Sequence, residues 1–237
     1  IPSINHYALN IGKRFWPLDN TDINMMFPGY ELGETTQRIA KKVFDAISGY
    51  DFGIILERRP DPATCLPYIK LFKSGYEDLI GAKKFGFKMI HHRTMKSIDT
   101  VTLQYNWQLW GTKAFSIMCP SDNQVDKKIA SQINQAMIRF MDKTKIIDYH
   151  IFNGYESTVI DRNSIAVVKS PRSGIIITKE LPGNYVSKDQ VIGEIVHSLE
   201  GDVIHQFLAP CNGMVTCFYS NSLIYEHAVA FRIAKIG

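Results

Sequence analysis

Apolar positions in the first 145 residues recur with two different periods. Phe52-Gly53-Ile54-Ile55-Leu56, Phe87 to Ile90 and Ala114 to Met118 are short unbroken runs with the length of buried strands. Between them the spacing is helical. After a capping stretch at Gly33-Glu34-Thr35-Thr36, residues Ile39, Val43, Phe44 and Ile47 fall on one face. Leu103, Trp107 and Trp110 repeat at i, i+4, i+7 until Gly111 stops the helix, and Ile129, Ile133, Met137 and Phe140 form another stripe. Strands alternating with helices of this length predict an α/β fold, a mostly parallel sheet flanked by helices over residues 1–145.

The pattern changes beyond residue 145. From Ser164 onward, short β-rich runs (Ile175 to Ile177, Val203-Ile204, Met214-Val215, Val229 to Ile233) are separated by turn residues at Ser173-Gly174, Pro182-Gly183-Asn184, Glu200-Gly201-Asp202 and Cys211-Asn212-Gly213. No helical stripe interrupts them. Residues 146–163 read as a linker and 164–237 as a small all-β domain. Its texture resembles the barrel-sandwich module of biotinyl and lipoyl carriers, through S-P-x-S-G-I at 170–175, G-x-x-V-x-K-x-Q-x-x-G-E-I at 183–195 and A-P-x-N-G-M-V at 209–215. Such carriers present a modifiable lysine at a hairpin tip. Here that stretch is His197-Ser198-Leu199-Glu200-Gly201-Asp202, which disfavours a swinging-arm role.

Composition narrows the classes. A chain of 237 residues with 45% apolar content can bury a large core, and a net charge of +4 spread along the chain gives no basic stripe for nucleic acid. No apolar run approaches the roughly 18 residues of a membrane span, and residues 1–20 show no leader pattern. Cys65, Cys119, Cys211 and Cys217 form no C-x-x-C pair, so the expectation is four reduced thiols in a cytoplasmic protein.

Three segments carry a more specific signal: TDINMMFPG at 21–29, GIILERRPDPATCLPYIKL at 53–71 and KAFSIMCPSDNQVD at 113–126. They resemble the succinylglutamate desuccinylase/aspartoacylase family, zinc carboxypeptidase-like deacylases whose motifs read D-L-N-R-x-F-P-G, an aspartate–leucine–histidine strand end, and a strand ending in T-x-E. The flanking G-E-T-T-Q-R-I-A and L-P-Y segments support the alignment, and that family carries a β-domain of this kind after its catalytic domain. The resemblance therefore covers nearly the whole chain and implies a carboxypeptidase-like α/β domain followed by a barrel-sandwich-like domain.

What the resemblance implies for chemistry is mostly loss. Zinc hydrolysis needs about three protein ligands and an open position for water, a carboxylate base and cations for the substrate's carboxylates. The family's arginine is here Met25, its strand-end histidine is Glu57, and its catalytic glutamate is Met118, so no catalytic residue is intact. Its H-x-x-E should precede the segment Pro2-Ser3-Ile4-Asn5-His6, so the first βαβ unit is expected to be missing here. Glu57 is the candidate metal ligand, with pairing to Arg58 or Arg59 as the plainer expectation. Asn24 is retained, and Arg14 precedes Asp22 as an arginine does in many relatives, so these two are the candidate substrate-binding residues. Asp22 is expected to orient the backbone of the Phe27-Pro28-Gly29 turn. Asp122 or Asp126 could stand in as base, although capping is the commoner task of an aspartate at a helix start.

Two other arrangements are set aside. His197-Ser198-Leu199-Glu200, followed by His205, spells H-x-x-E in a loop where i and i+3 share no helical face. His91 and His92 adjoin on a strand and point to opposite faces. The expected function is thus a degenerate, catalytically impaired deacylase relative that binds a small carboxylate or plays a regulatory part. Its expected partners are a homo-oligomer or an active paralogue, with no nucleic acid and no membrane. The alternative is an active zinc hydrolase of an N-acyl amino acid-like amide or ester, using an upstream H-x-x-E plus Glu57. Zinc is the cofactor only in that alternative. An interaction scaffold would instead show a large exposed apolar patch on residues 164–237.

Overall fold

The computed structural model describes residues 1, 3–58, 63–120, 126–161 and 163–236. Its helices are α1 (His6–Asn10), α2 (Thr35–Ile47), α3 (Leu79–Lys83), α4 (Leu103–Leu109) and α5 (Lys127–Lys143). Strands β1 (Phe52–Arg58), β3 (Tyr68–Lys73), β4 (Met89–Thr94), β5 (Lys113–Cys119) and β6 (Thr158–Ile160) form a mostly parallel sheet in the order β1-β5-β3-β4-β6. The remaining strands are β2 (Ala63–Cys65), β7 (Ile165–Lys169), β8 (Gly174–Thr178), β9 (Tyr185–Val186), β10 (Val191–Val196), β11 (Val203–Leu208), β12 (Gly213–Tyr219), β13 (Leu223–Ile224) and β14 (Val229–Lys235). They make two antiparallel sheets, β11-β10-β8-β13 and β2-β12-β14-β7, with β9 on β12. The α/β class followed by an all-β domain is as the periodicity predicts.

The chain forms two compact units. One comprises Ile1–Ile55, Leu71–Leu79 and Thr94–Ser116; the other comprises Leu56–Lys70, Ile80–Arg93 and Ile117–Gly237. In the first, α2 buries Thr36, Ala40 and Phe44, one turn apart along a single face, against Ile23, Phe27, Leu103, Trp107 and Ala114. The Trp107 indole also donates to the Ile47 carbonyl at 2.9 Å, fixing α4 to the end of α2. Gly53 has to be glycine for this packing, because a Cβ there would lie 2.5 Å from the Trp107 ring. The start of α2 is held by Asp19, whose carboxylate accepts from the Thr36 hydroxyl and amide. Burial opposes ionisation of Asp19, but those bonds and others from Thr21 outweigh it and hold its carboxyl below the ordinary value.

In the second unit, the β-domain core gathers Ile176, Ile192, Ile195, Phe207, Val215, Phe231 and Ile233 between the two antiparallel sheets. Helix α5 is capped by Asp126, whose side chain accepts from the amides of Lys128 and Ile129. It buries Ile133, Ala136 and Phe140, and with them Arg139, which is only 7% exposed. Arg139 donates to the carbonyls of Phe152 at 2.7 Å and Phe85 at 2.6 Å, and burial lowers its pKa.

Three expectations are corrected. The run at 52–56 is not a doubly buried strand: β1 ends the five-stranded sheet, and Leu56 is 56% exposed. Trp110 lies past the end of α4, exposed, with its ring edge-on to Phe44. Most consequentially, Cys65 and Cys217 are not reduced thiols. They stand directly opposite on β2 and β12, with Cα atoms 4.2 Å apart, and are joined in a disulfide; only Cys119 and Cys211 are free. Strand pairing across 152 residues creates this neighbourhood, which spacing along the chain does not reveal. It also removes the support that reduced thiols lent to a cytoplasmic location. No helix among the described residues is long and apolar enough to cross a membrane.

Candidate functional site

Arg14, Asp22, Asn24 and Met25 lie in the first unit. Asp22 caps the short helical turn Ile23–Met25, accepting from the Asn24 amide at 3.0 Å. The same carboxylate takes the Asn24 side-chain amide at 3.1 Å and the Arg14 guanidinium through Nε at 2.8 Å and a terminal nitrogen at 2.7 Å. The structure therefore does bring the two candidate substrate-binding residues together, but on Asp22. An arginine and an amide converging on one carboxylate is the arrangement a substrate carboxylate would seek. Here an internal side chain supplies the anion. Met25 is half-buried and contributes no charge.

Glu57 and Met118 lie in the second unit, Glu57 near the end of β1 and Met118 on the neighbouring β5. Glu57 accepts from the Lys70 ammonium of β3 at 2.5 Å, an ion pair in which both side chains are mostly buried. Lys70 was not anticipated. A lysine inside the apolar run Tyr68-Ile69-Lys70-Leu71-Phe72 is itself a sign that an anion waits nearby. Next to Met118 on β5, burial and then the charge of Glu57 push the Cys119 thiol up, so it stays protonated.

Met118 is 7% exposed and packs with Tyr68, Met89, Ile160, Met214 and Ala234, flanked by Leu66 and Ile165. That cluster is apolar apart from the Tyr68 hydroxyl. Its thioether accepts no proton at ordinary pH, so the position cannot act as a general base.

The described residues do not fit a catalytic zinc. None of their His, Cys, Asp and Glu side chains gather as three potential ligands. The available donors are a carboxylate already holding an ammonium and a thiol kept protonated, neither of which suits the ion. Arg59 and Asp122 lie outside the described residues, whereas Asp126 serves as the α5 cap.

The decoys resolve into local structure. His197 Nδ1 accepts the Glu200 amide at 3.3 Å, closing the turn at 197–201. His91 faces Tyr68, with ring centroids 6.2 Å apart. A cavity of about 220 Å³ opens beside the disulfide, lined by Ala63, Tyr219, Phe231 and Arg232 among others; Glu57 and Met118 are not part of it.

No protein-family profile and no curated protein sequence matches the chain. Solved structures do. The chain superposes over its full length on a succinylglutamate desuccinylase/aspartoacylase from Rhodobacter sphaeroides, covering 74% of that protein with TM-score 0.76 and 15% identity. A succinylglutamate desuccinylase from Silicibacter sp. TM1040 matches with TM-score 0.79 and 12% identity, again over all of this chain and 74% of the other. The product-bound ectoine utilization protein EutE (DoeB) from Ruegeria pomeroyi matches with TM-score 0.74, 15% identity and the same coverage. The chain has the fold of these proteins.

Proposed function

We propose that the chain is a catalytically impaired member of the succinylglutamate desuccinylase/aspartoacylase deacylases, which keeps the fold and serves as a small-carboxylate-binding or regulatory protein. The observation that carries this reading is Met118. At the position where the resemblance calls for the catalytic glutamate, a buried thioether sits in an apolar cluster, where a charged base would be desolvated. Glu57 adds to it, since its carboxylate is committed to Lys70. Asp22 adds to it again, since it occupies Arg14 and Asn24 as a substrate carboxylate would. Against the resemblance, Met25, Glu57 and Met118 have changed together, and one carboxylate clamp is satisfied from within.

The second reading is an active zinc hydrolase of an N-acyl amino acid-like amide or ester, with Glu57 and a preceding H-x-x-E as ligands. Its support is the place of Glu57 near the end of a strand in an open α/β sheet, where ligand sites collect. The absence of an arginine at Met25 argues against acidic substrates even then. The test is hydrolysis of N-acetyl and N-succinyl amino acids with zinc supplied. The first reading expects no turnover above the uncatalysed rate. Zinc-dependent turnover that disappears in Glu57→Ala would establish the second.

A further inference from the structure

The dipeptide Asn-Gly occurs twice in the chain, at Asn153-Gly154 and at Asn212-Gly213. In it, the glycine amide nitrogen can close a ring onto the asparagine side-chain carbonyl, and no Cβ on the glycine obstructs the approach. The fold treats the two copies differently. Gly213 lies in β12, paired with Val186 of β9 and Lys235 of β14, and the Asn212 side-chain oxygen accepts the Lys188 amide at 2.7 Å. Asn153 is exposed and lies outside the described helices and strands, with Phe152 and Tyr155 exposed to either side. Among the described residues, neither the Asn153 side chain nor the Gly154 amide makes a hydrogen bond.

Two cations of α5 bear on the exposed copy. Arg139 and Lys143 stand one turn apart on the same face of that helix. Arg139 Nε donates to the Phe152 carbonyl at 2.7 Å, and Lys143 Nζ donates to the next carbonyl, that of Asn153, at 3.2 Å. This second carbonyl belongs to the Asn153–Gly154 peptide itself. The Arg139 guanidinium also lies against Gly154, where an added Cβ would fall 2.9 Å from its central carbon. When a peptide N–H loses its proton, resonance spreads the negative charge onto the carbonyl oxygen. Neighbouring positive charge favours that anion.

We propose that Asn153 is a self-modifying site, deamidated by its own Gly154 amide nitrogen, with Lys143 and Arg139 easing the loss of that nitrogen's proton. The nitrogen gives its proton to solvent and bonds to the Asn153 side-chain carbonyl carbon. The bond from that carbon to the side-chain nitrogen breaks, and ammonia leaves, taking a proton back from solvent. One water then opens the cyclic imide at either carbonyl. Opening at the side-chain carbonyl leaves aspartate; opening at the main-chain carbonyl leaves isoaspartate, whose main chain is one carbon longer. Nothing is oxidised or reduced: amide and water become carboxylate and ammonium. Either product puts a carboxylate close to Lys143. The isoaspartyl form also lengthens the chain between the Phe152 carbonyl, held by Arg139, and the Tyr155 amide, held by the Gly86 carbonyl, and so loosens that loop.

The test is peptide mapping by mass spectrometry on the whole folded chain, aged for days in mildly alkaline buffer. The Asn153 peptide should gain the mass of an acid over an amide and split into aspartyl and isoaspartyl forms, while the Asn212 peptide stays intact. Lys143→Gln should slow the conversion roughly threefold, the scale of an exposed charge contact, and Lys143→Arg should keep it near the wild-type rate. Unchanged thermal melting of both variants excludes misfolding. In guanidinium chloride the two Asn-Gly sites should convert at similar rates, and Lys143→Gln should have no effect there. Three results would each overturn the proposal: Asn212 converting as fast as Asn153 in the folded chain, Asn153 staying intact there while it converts in denaturant, or Lys143→Gln matching wild type when folded.

Discussion

Arg139 offers the sharpest handle on how the second unit holds together. Arg139 is 7% exposed, and its guanidinium is bonded to two main-chain carbonyls, of Phe85 and Phe152. Around it, Gly86 and Gly154 take positive φ and come close enough that an added Cβ at either would lie about 3 Å from the side chain. Arg139→Ala removes two bonds from a charged donor, each contributing about 1.5–3 kcal/mol, and strands two carbonyls. Relief of the buried charge offsets part of that loss, leaving a net destabilisation of about 3 kcal/mol. With a urea slope of about 2–3 kcal/mol/M, the unfolding midpoint should fall by roughly 1–1.5 M with the slope unchanged. Arg139→Lys keeps the charge without the planar fork and should recover at most half of the loss. Arg139→Met, which fills the space without a charge, should fall between wild type and Ala. Hydrogen exchange gives a local readout, because the Tyr155 amide, bonded to the Gly86 carbonyl at 2.9 Å, should lose protection with Arg139→Ala. If all three variants stay within about 0.5 kcal/mol of wild type, the stitch is not structural and the reasoning fails.

Three further outcomes are expected. Met118→Glu does not restore a base: burying a carboxylate in that apolar cluster should cost roughly 3 kcal/mol or raise its pKa by a few units, read by denaturation at pH 5 and 8, whereas wild-type stability across the same pair would mean the site is wet. Reducing the Cys65–Cys217 bridge, or replacing both residues with Ala, opens a loop of 152 residues and should lower stability by up to about 5 kcal/mol on chain-entropy grounds, with no shift in the unfolding midpoint counting against a formed bridge. Asp19 has its folded pKa below the ordinary 3.8, so its contribution is complete above that value and lost as pH falls through the folded pKa. Midpoints measured from about pH 6 down to about pH 2.5 should therefore drop less steeply in the acid limb for Asp19→Asn than for wild type. An equal slope would remove Thr36–Asp19 from the list of stabilising contacts.

What the sequence disclosed, and what it hid, follows from the range of the forces involved. Helix faces such as Thr36–Ala40–Phe44 and Ile133–Ala136–Phe140 are local, and their period is legible in any window of a dozen residues. The cap at Asp126 is equally local. Strand β3, central to its sheet, is not legible in the sequence because Lys70 and Lys73 break its apolar run; the Glu57 partner, thirteen residues upstream, helps make Lys70 acceptable there. The disulfide and the convergence of Arg14 and Asn24 on Asp22 depend on how the chain returns upon itself. The substitutions at Met25, Glu57 and Met118 were visible at once, but their surroundings were not: the apolar shell of Met118 is assembled from β3, β4, β6, β12 and β14.

The most direct test of the central claim is zinc content per chain, measured by elemental analysis on the complete polypeptide prepared without chelator and then offered zinc. The account predicts no stoichiometric metal, and no difference between wild type and Glu57→Ala. About one zinc per chain, lost on Glu57→Ala, would contradict it, since the carboxylate would then be serving a metal rather than Lys70.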